Sequence, residues 1–231
     1  METLPLYISL VFGATTLLTV FLFYRAANMS KTTLYILLGW LAVQTPVALS
    51  GFYTVTDTLP PRFLLAILPP LIMIVILFSA AKGRQYLDSL NQQRLTLLHT
   101  VRIPVEIVLF WLFVHHTIPQ IMTFEGRNFD ILAGLTAPVI FYFGYVKQQL
   151  SRPILLIWNF LCLGLLLNIV FHGVLSAPFP FQQFGFEQPN IALLHFPFVW
   201  LPCCVVPLVL LSHLATVRQL WKNRLLALAK T

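Results

Sequence analysis

Charge is scarce in this sequence. Asp, Glu, Lys and Arg make up 9% of its 231 residues, against roughly 25% in a soluble domain of ordinary composition. So little polar surface cannot clothe a water-soluble globule, which excludes a cytoplasmic enzyme. The 58% hydrophobic content excludes a disordered regulator. Acids are the scarcer sign, seven against fourteen bases. Three cysteines occur, Cys162, Cys203 and Cys204, all inside apolar stretches. Two are adjacent and the three make no even-numbered, spaced set, so a secreted disulfide scaffold is excluded as well. The first residues carry Glu2 and no base. Without the positive n-region of a cleavable signal, the first apolar run is expected to remain as an anchor.

Long apolar runs are what the sequence does have. Crossing a bilayer takes about 20 predominantly apolar residues. Seven runs approach that length: Leu4–Tyr24, Thr33–Tyr53, Arg62–Ala81, Val101–Ile121, Phe129–Val146, Pro153–Leu175 and Ile191–Val217. Polar segments separate them and leave no room for a soluble domain. The expected fold is a single all-α integral membrane domain over residues 1–231, a seven-helix bundle.

The bases set its orientation. With the N-terminus outside, twelve of the fourteen lie at the inner face: Arg25, Lys31, Lys82, Arg84, Arg94, Arg102, Lys147, Arg152, Arg218, Lys222, Arg224 and Lys230. Arg62 and Arg127 lie outside. Such a bias predicts N outside and C inside, in a plasma or inner membrane. The tail Arg218–Lys230, with leucines between its charges, is expected to rest on anionic headgroups. Nucleic acid is not an expected partner, because no soluble surface carries the excess charge. An oligomer is compatible with this reading. The inner segment Lys82–Thr100 alternates leucines with polar residues and predicts a short surface helix.

Polar side chains inside apolar runs are the candidate functional residues, since a charge at mid-bilayer costs about 2.5–3.5 kcal/mol even on lenient scales. At about 100° per residue, His99, Arg102, Glu106, Phe113, Thr117 and Gln120 share one face of the fourth run, with His116 at its margin. Arg102 and Glu106, four apart, are expected to pair. His172 shares a face with Asn168, and His195 lies five turns from His213, on one face of an unbroken helix. An outward-facing polar cavity lined by His116, Asn168, His172 and His195 is the first expectation. Arg102 and Glu106 would then serve a ligand or proton pathway, and Glu125, Arg127 and Asp130 would form its outer rim. Asn128 is expected to cap the fifth helix.

Three readings of function follow. The preferred one is small-molecule or ion binding or transport. An enzyme is the second, with either a metal on His116, His172 and His195 or two haems on the axial pairs His99/His213 and His116/His195. No HExxH or HxxxH spacing supports the metal. The third is an assembly subunit without a site.

No family is identified from the residues. The last run lacks the Schiff-base lysine of a retinal protein and the His-xxx-His pair of seven-helix ceramidase-type hydrolases. The repeated motifs of three-one-three sugar transporters are not found, and topology alone is only analogy.

Overall fold

The computed structural model describes residues 4–228, with side chains as far as Lys222. The charges of Glu2, Arg224 and Lys230 lie outside the described side chains. The described chain is all-α, in eight helices: α1 (Leu6–Ala26), α2 (Lys31–Leu49), α3 (Leu64–Ser79), α4 (Ala81–Ser89), α5 (Gln92–Val114), α6 (Ile131–Val146), α7 (Arg152–Leu175) and α8 (Leu201–Lys222). Helices α1, α2, α5, α7 and α8 are long and apolar enough to cross a membrane. The pair α3–α4, bent by 96°, makes a sixth if counted as one span. Helix α6 is apolar but shorter. Several long apolar helices mark a multi-pass membrane protein. The seven runs of similar length expected from the sequence thus become five long helices, a bent pair and a short helix.

Helices α5 and α8 form the centre. They bury 50% and 67% of their most apolar stretch, against 22% for α2. Helix α1 lies along α5, and α7 lies along α8. The threonines of α1 cost little inside the bundle, because Thr15, Thr16 and Thr19 each donate to the carbonyl one turn back.

The largest shift from the sequence reading is in the fourth run, which is Gln92–Val114 rather than Val101–Ile121. Its start is fixed by Asn91, whose side chain accepts from the Arg94 N–H as an N-cap. Asn91 N–H also donates to the Ala26 carbonyl, and Arg94 Nη1 to that of Arg25. The polar first turn of α5 therefore satisfies the last carbonyls of α1, which explains why so hydrophilic a stretch stays helical. At the other end His116, at φ 57°, leaves helical geometry, and Pro119 follows. Arg102 consequently sits near the middle of α5 instead of at its inner end.

The expected inner surface helix is present as α4 only. Gly83 makes its sharp junction with α3, since a Cβ there would fall 2.5 Å from the Leu77 carbonyl oxygen. Arg84 Nη1 donates to the carbonyls of Phe78 and Ser79 and caps the end of α3. Asp88 binds Arg218 and Lys222 of α8, which puts α4 and the end of α8 at one face of the bundle.

Two irregular segments close the opposite face. Residues 115–130 leave α5 and fold back beside it. Residues 176–200 follow α7 and bury Asn190, Ala192, Leu194, Phe198 and Val199. The two are laced together, with the N–H groups of Ile191 and Ala192 on the Thr117 carbonyl and Gln188 Nε2 on those of Phe113 and Ile118. Helix α8 therefore begins at Leu201, ten residues later than the sequence suggested. His195 lies outside it in extended backbone, so His195 and His213 do not share a helix face.

Candidate functional site

The mid-portions of α5 and α8 carry the most concentrated buried polarity of the described chain. His99, Arg102 and Glu106 project from α5, His213 from α8, and Asn159 from α7. All five are at most 2% exposed. The segment 115–130 adds Asn128 and Asp130, also buried. Asn128 reaches Glu106, eight residues before the end of α5, so this segment descends about 12 Å into the bundle at 1.5 Å per residue.

Hydrogen bonds join these side chains in sequence. Asn128 Nδ2 donates to Glu106 Oε1 at 2.5 Å and to the Met122 carbonyl at 3.1 Å. Asn128 Oδ1 accepts the Asp130 N–H at 3.1 Å. Arg102 Nη1 donates to Asp130 Oδ1 at 2.9 Å and to the Cys162 carbonyl at 3.2 Å. Arg102 Nη2 lies 3.0 Å from His213 Nε2, and His213 Nδ1 lies 2.9 Å from Asn159 Oδ1. Asn159 Nδ2 donates to the Leu155 carbonyl.

His99 packs its ring on that of His213, centroids 3.8 Å apart and planes 15° from parallel. The Trp158 ring stands edge-on to His99 at 5.6 Å. Both ring nitrogens of His99, Nε of Arg102 and Oε2 of Glu106 are buried without a protein hydrogen-bond partner. Buried polar atoms are overwhelmingly paired in native proteins. Four exceptions within one cluster single it out.

Several sequence expectations change here. Arg102 pairs with Asp130, not with Glu106, because Asp130 is carried into the bundle rather than left on an outer rim. Glu106 takes an amide instead of a cation. Asn128 is not the cap of α6; Asp130 occupies that position and makes no side-chain capping bond. Glu125 and Arg127 stay exposed.

Three of the outer residues are engaged in local hydrogen bonds. His116 bonds Gln188, Asn168 Nδ2 donates to the Arg127 carbonyl, and His172 Nδ1 donates to the Asn168 carbonyl. A large cavity, about 770 Å³, lies elsewhere, between α2, α3 and α8, and touches none of them. Among the described residues no group of three or more His, Cys, Asp or Glu side chains is placed to hold a metal ion, so His116, His172 and His195 do not form one.

A haem does not fit the inner pair either. Axial imidazoles approach the iron edge-on from opposite sides of the porphyrin, whereas His99 and His213 lie face to face at van der Waals distance. His116 and His195, the other proposed pair, both sit in the irregular closing segments.

Sequence reasoning missed Asn128 as a cluster member and Asn159 altogether. Asn159, a polar side chain among the apolar residues of the first half of the run Pro153–Leu175, was the available signal for the second.

A family model for a domain of unknown function (DUF8737) matches residues 58–221, more than two thirds of the chain. The chain belongs to the DUF8737 family. No curated protein and no solved structure matches it. Every side chain of the cluster falls within the DUF8737 segment, whereas α1 and α2 precede it.

Proposed function

We propose that the chain is a multi-pass transport protein that binds and passes protons at the His99–Arg102–Glu106–Asp130–His213 cluster. One observation carries this reading: a connected run of ionisable side chains, with unpartnered atoms at His99 and Glu106, lies at mid-length of the two central helices. Ionisable groups are expensive in a bilayer and mark ion or proton paths when they occur there. The cluster holds one fixed cation, two carboxylates and two imidazoles. Arg102 and Asp130 neutralise each other, which leaves Glu106 and the imidazoles to exchange protons.

The topology proposed with it has seven crossings, N outside and C inside. Here α6 crosses only the inner part of the bilayer, and residues 115–130 complete that span. The positive-inside bias supports the orientation. So does the gathering of Arg25, Arg84, Asp88, Arg94, Arg218 and Lys222 at one face through the contacts of α4, α5 and α8. The basic tail would lie on anionic headgroups at that face.

The test is proton flux. Protein in liposomes loaded with a pH-sensitive dye is given a potassium-diffusion potential. The wild type should acidify or alkalinise the lumen faster than protein-free liposomes, and Glu106→Gln should abolish the difference while keeping the thermal midpoint. Wild-type flux equal to that of empty liposomes, in either orientation of the potential, overturns the proposal.

A further inference from the structure

Among the described residues, eleven buried side-chain atoms lack a hydrogen-bond partner, and seven of them belong to α5 and to the helices α6 and α8 packed against it. Four are in the cluster: both ring nitrogens of His99, Arg102 Nε and Glu106 Oε2. The other three are Gln92 Nε2, Tyr145 Oη and Thr216 Oγ1. All three lie between the cluster and the face where Asp88 binds Arg218 and Lys222.

Their order along the helices is regular. Gln92, Thr96, His99, Arg102 and Glu106 follow every three or four residues on α5, within a sector of about 120°. Helix α5 starts beside α4 and α8 ends there, so the two run antiparallel. The stacked rings of His99 and His213 set their register. Three residues nearer the Asp88 face, Thr96 comes level with Thr216, and each is 1% exposed. From the end of α6, Tyr145 turns its hydroxyl towards Thr96 without closing a hydrogen bond. Gln92, only partly buried, stands at the mouth.

Towards the opposite face the polarity stops. Residues 107–114 of α5 carry no polar group except the Trp111 indole. Leu109, Leu112, Ile118 and Met122 pack there in the apolar core, at most 2% exposed.

One helical turn advances about 5.4 Å. A water held by two hydrogen bonds of about 2.8 Å each spans a similar distance. One water per turn therefore bridges consecutive members of the series. Buried waters typically satisfy such groups, with about three hydrogen bonds each. The chemistry is mixed as a row of waters requires: Gln92 Nε2 and Arg102 Nε donate, the Glu106 carboxylate accepts, and the hydroxyls and the imidazole do both.

We propose that a row of internal water molecules runs between α5, α6 and α8 from Gln92 to Glu106, and that it opens the cluster to the Asp88 face alone. The row names the side from which protons reach the cluster. It rests on the proton reading for that purpose only, because hydration is measurable without flux.

The experiment is water-to-protein polarisation transfer by solid-state NMR on the whole isotope-labelled protein in lipid bilayers. At short mixing times Thr96, His99, Tyr145 and Thr216 side chains should receive polarisation from water, and those of Leu109 and Leu112 should not. His99 and Leu112 are both 0% exposed, so the contrast reads water inside the bundle and not closeness to the surface. Thr96→Val combined with Thr216→Val should abolish the transfer to His99; if that pair fails to fold, Tyr145→Phe, which should weaken it, replaces them. No transfer to His99 in the wild type overturns the proposal. So does equal transfer to Leu109 and Leu112, or transfer to His99 unchanged in the folded variant. Water at His99 without proton flux supports the row and overturns the transport reading alone. Flux without water at His99 overturns the row and spares that reading.

Discussion

Arg102 Nη2 lies 3.0 Å from His213 Nε2, and this contact assigns the protons of a buried imidazole. A guanidinium only donates, so His213 Nε2 must accept and carry no hydrogen. Nδ1 then carries the proton and donates to Asn159 Oδ1 at 2.9 Å. Asn159 fits that role, since its Nδ2 donates to the Leu155 carbonyl. The tautomer follows from partners that have no alternative, which is the firmest basis for such an assignment. A proton taken up at His213 Nε2 must displace Arg102. Protonation of the imidazole and the position of the guanidinium are therefore linked in one cluster.

The two carboxylates should answer mutation differently. Asp130→Ala removes the only acid bonded to Arg102 among the described residues and strands a buried cation, which costs about 3–5 kcal/mol. Glu106→Gln keeps an oxygen for Asn128 Nδ2 and should change stability by less than about 1 kcal/mol. Thermal unfolding in detergent decides between them. If Glu106→Gln proves the more damaging, Arg102 relies on Glu106, and Asp130 is not its partner.

How much of this was legible in the sequence follows from what helical periodicity encodes. The shared face of His99, Arg102 and Glu106 depends on angle alone, and the angle between residues is the same wherever the helix ends. Depth is another matter. It depends on the termini, and the polar turn Gln92–Arg94 hid the start of α5, because hydropathy cannot show that Asn91 and Arg94 cap α1. Asp130 lies 28 residues from Arg102 in sequence. It reaches Arg102 only because residues 115–130 turn back into the bundle, and no period reports such a return. His195 misled for a related reason: its spacing from His213 has meaning only within an unbroken helix.

Gly134 holds α6 close enough for Asp130 to meet Arg102. A Cβ at this position would fall 2.8 Å from Ile103 Cγ1, 3.1 Å from the Ile103 nitrogen and 3.3 Å from Arg102 Cβ. Part of what it meets is the backbone of α5, which cannot step aside as a side chain can. Gly134→Ala should destabilise by about 1–3 kcal/mol, the usual penalty of overpacking. Gly134→Leu should cost more. Parallel melts of the two variants test this, and a stability unchanged by alanine would show that α5 and α6 can separate freely.

At the cationic face, Asp88 supplies a pH dependence with a definite sign. Its partial burial pushes the carboxyl up, but hydrogen bonds from Arg218 and Lys222, together with their charges, outweigh this and hold it below the ordinary value. A depressed native value means that the clasp stabilises fully above the unfolded value of about 3.9 and is lost as pH falls through the native one. Asp88→Asn should lower the thermal midpoint by a constant amount from pH 7 to pH 5. That difference should shrink only below about pH 4. A difference already gone at pH 5 would contradict the sign.

Pro207 and Trp40 make a pair whose coupling can be measured. Proline has no N–H, so Pro207 leaves free the carbonyl of Cys203, four residues back. In a membrane such a group needs a partner from a neighbouring helix, and Trp40 Nε1 supplies it at 2.9 Å. Trp40→Phe in the wild type should therefore cost about 1–3 kcal/mol, the penalty for a buried acceptor left unmade. In a Pro207→Ala background the new N–H can take the same carbonyl, and the cost of Trp40→Phe should drop toward that of lost ring contact alone. The four proteins of this cycle, unfolded thermally in one detergent, should give a coupling of about 1 kcal/mol or more. If Trp40→Phe costs the same in both backgrounds, the indole anchors α2 by packing and not by satisfying the carbonyl that Pro207 frees.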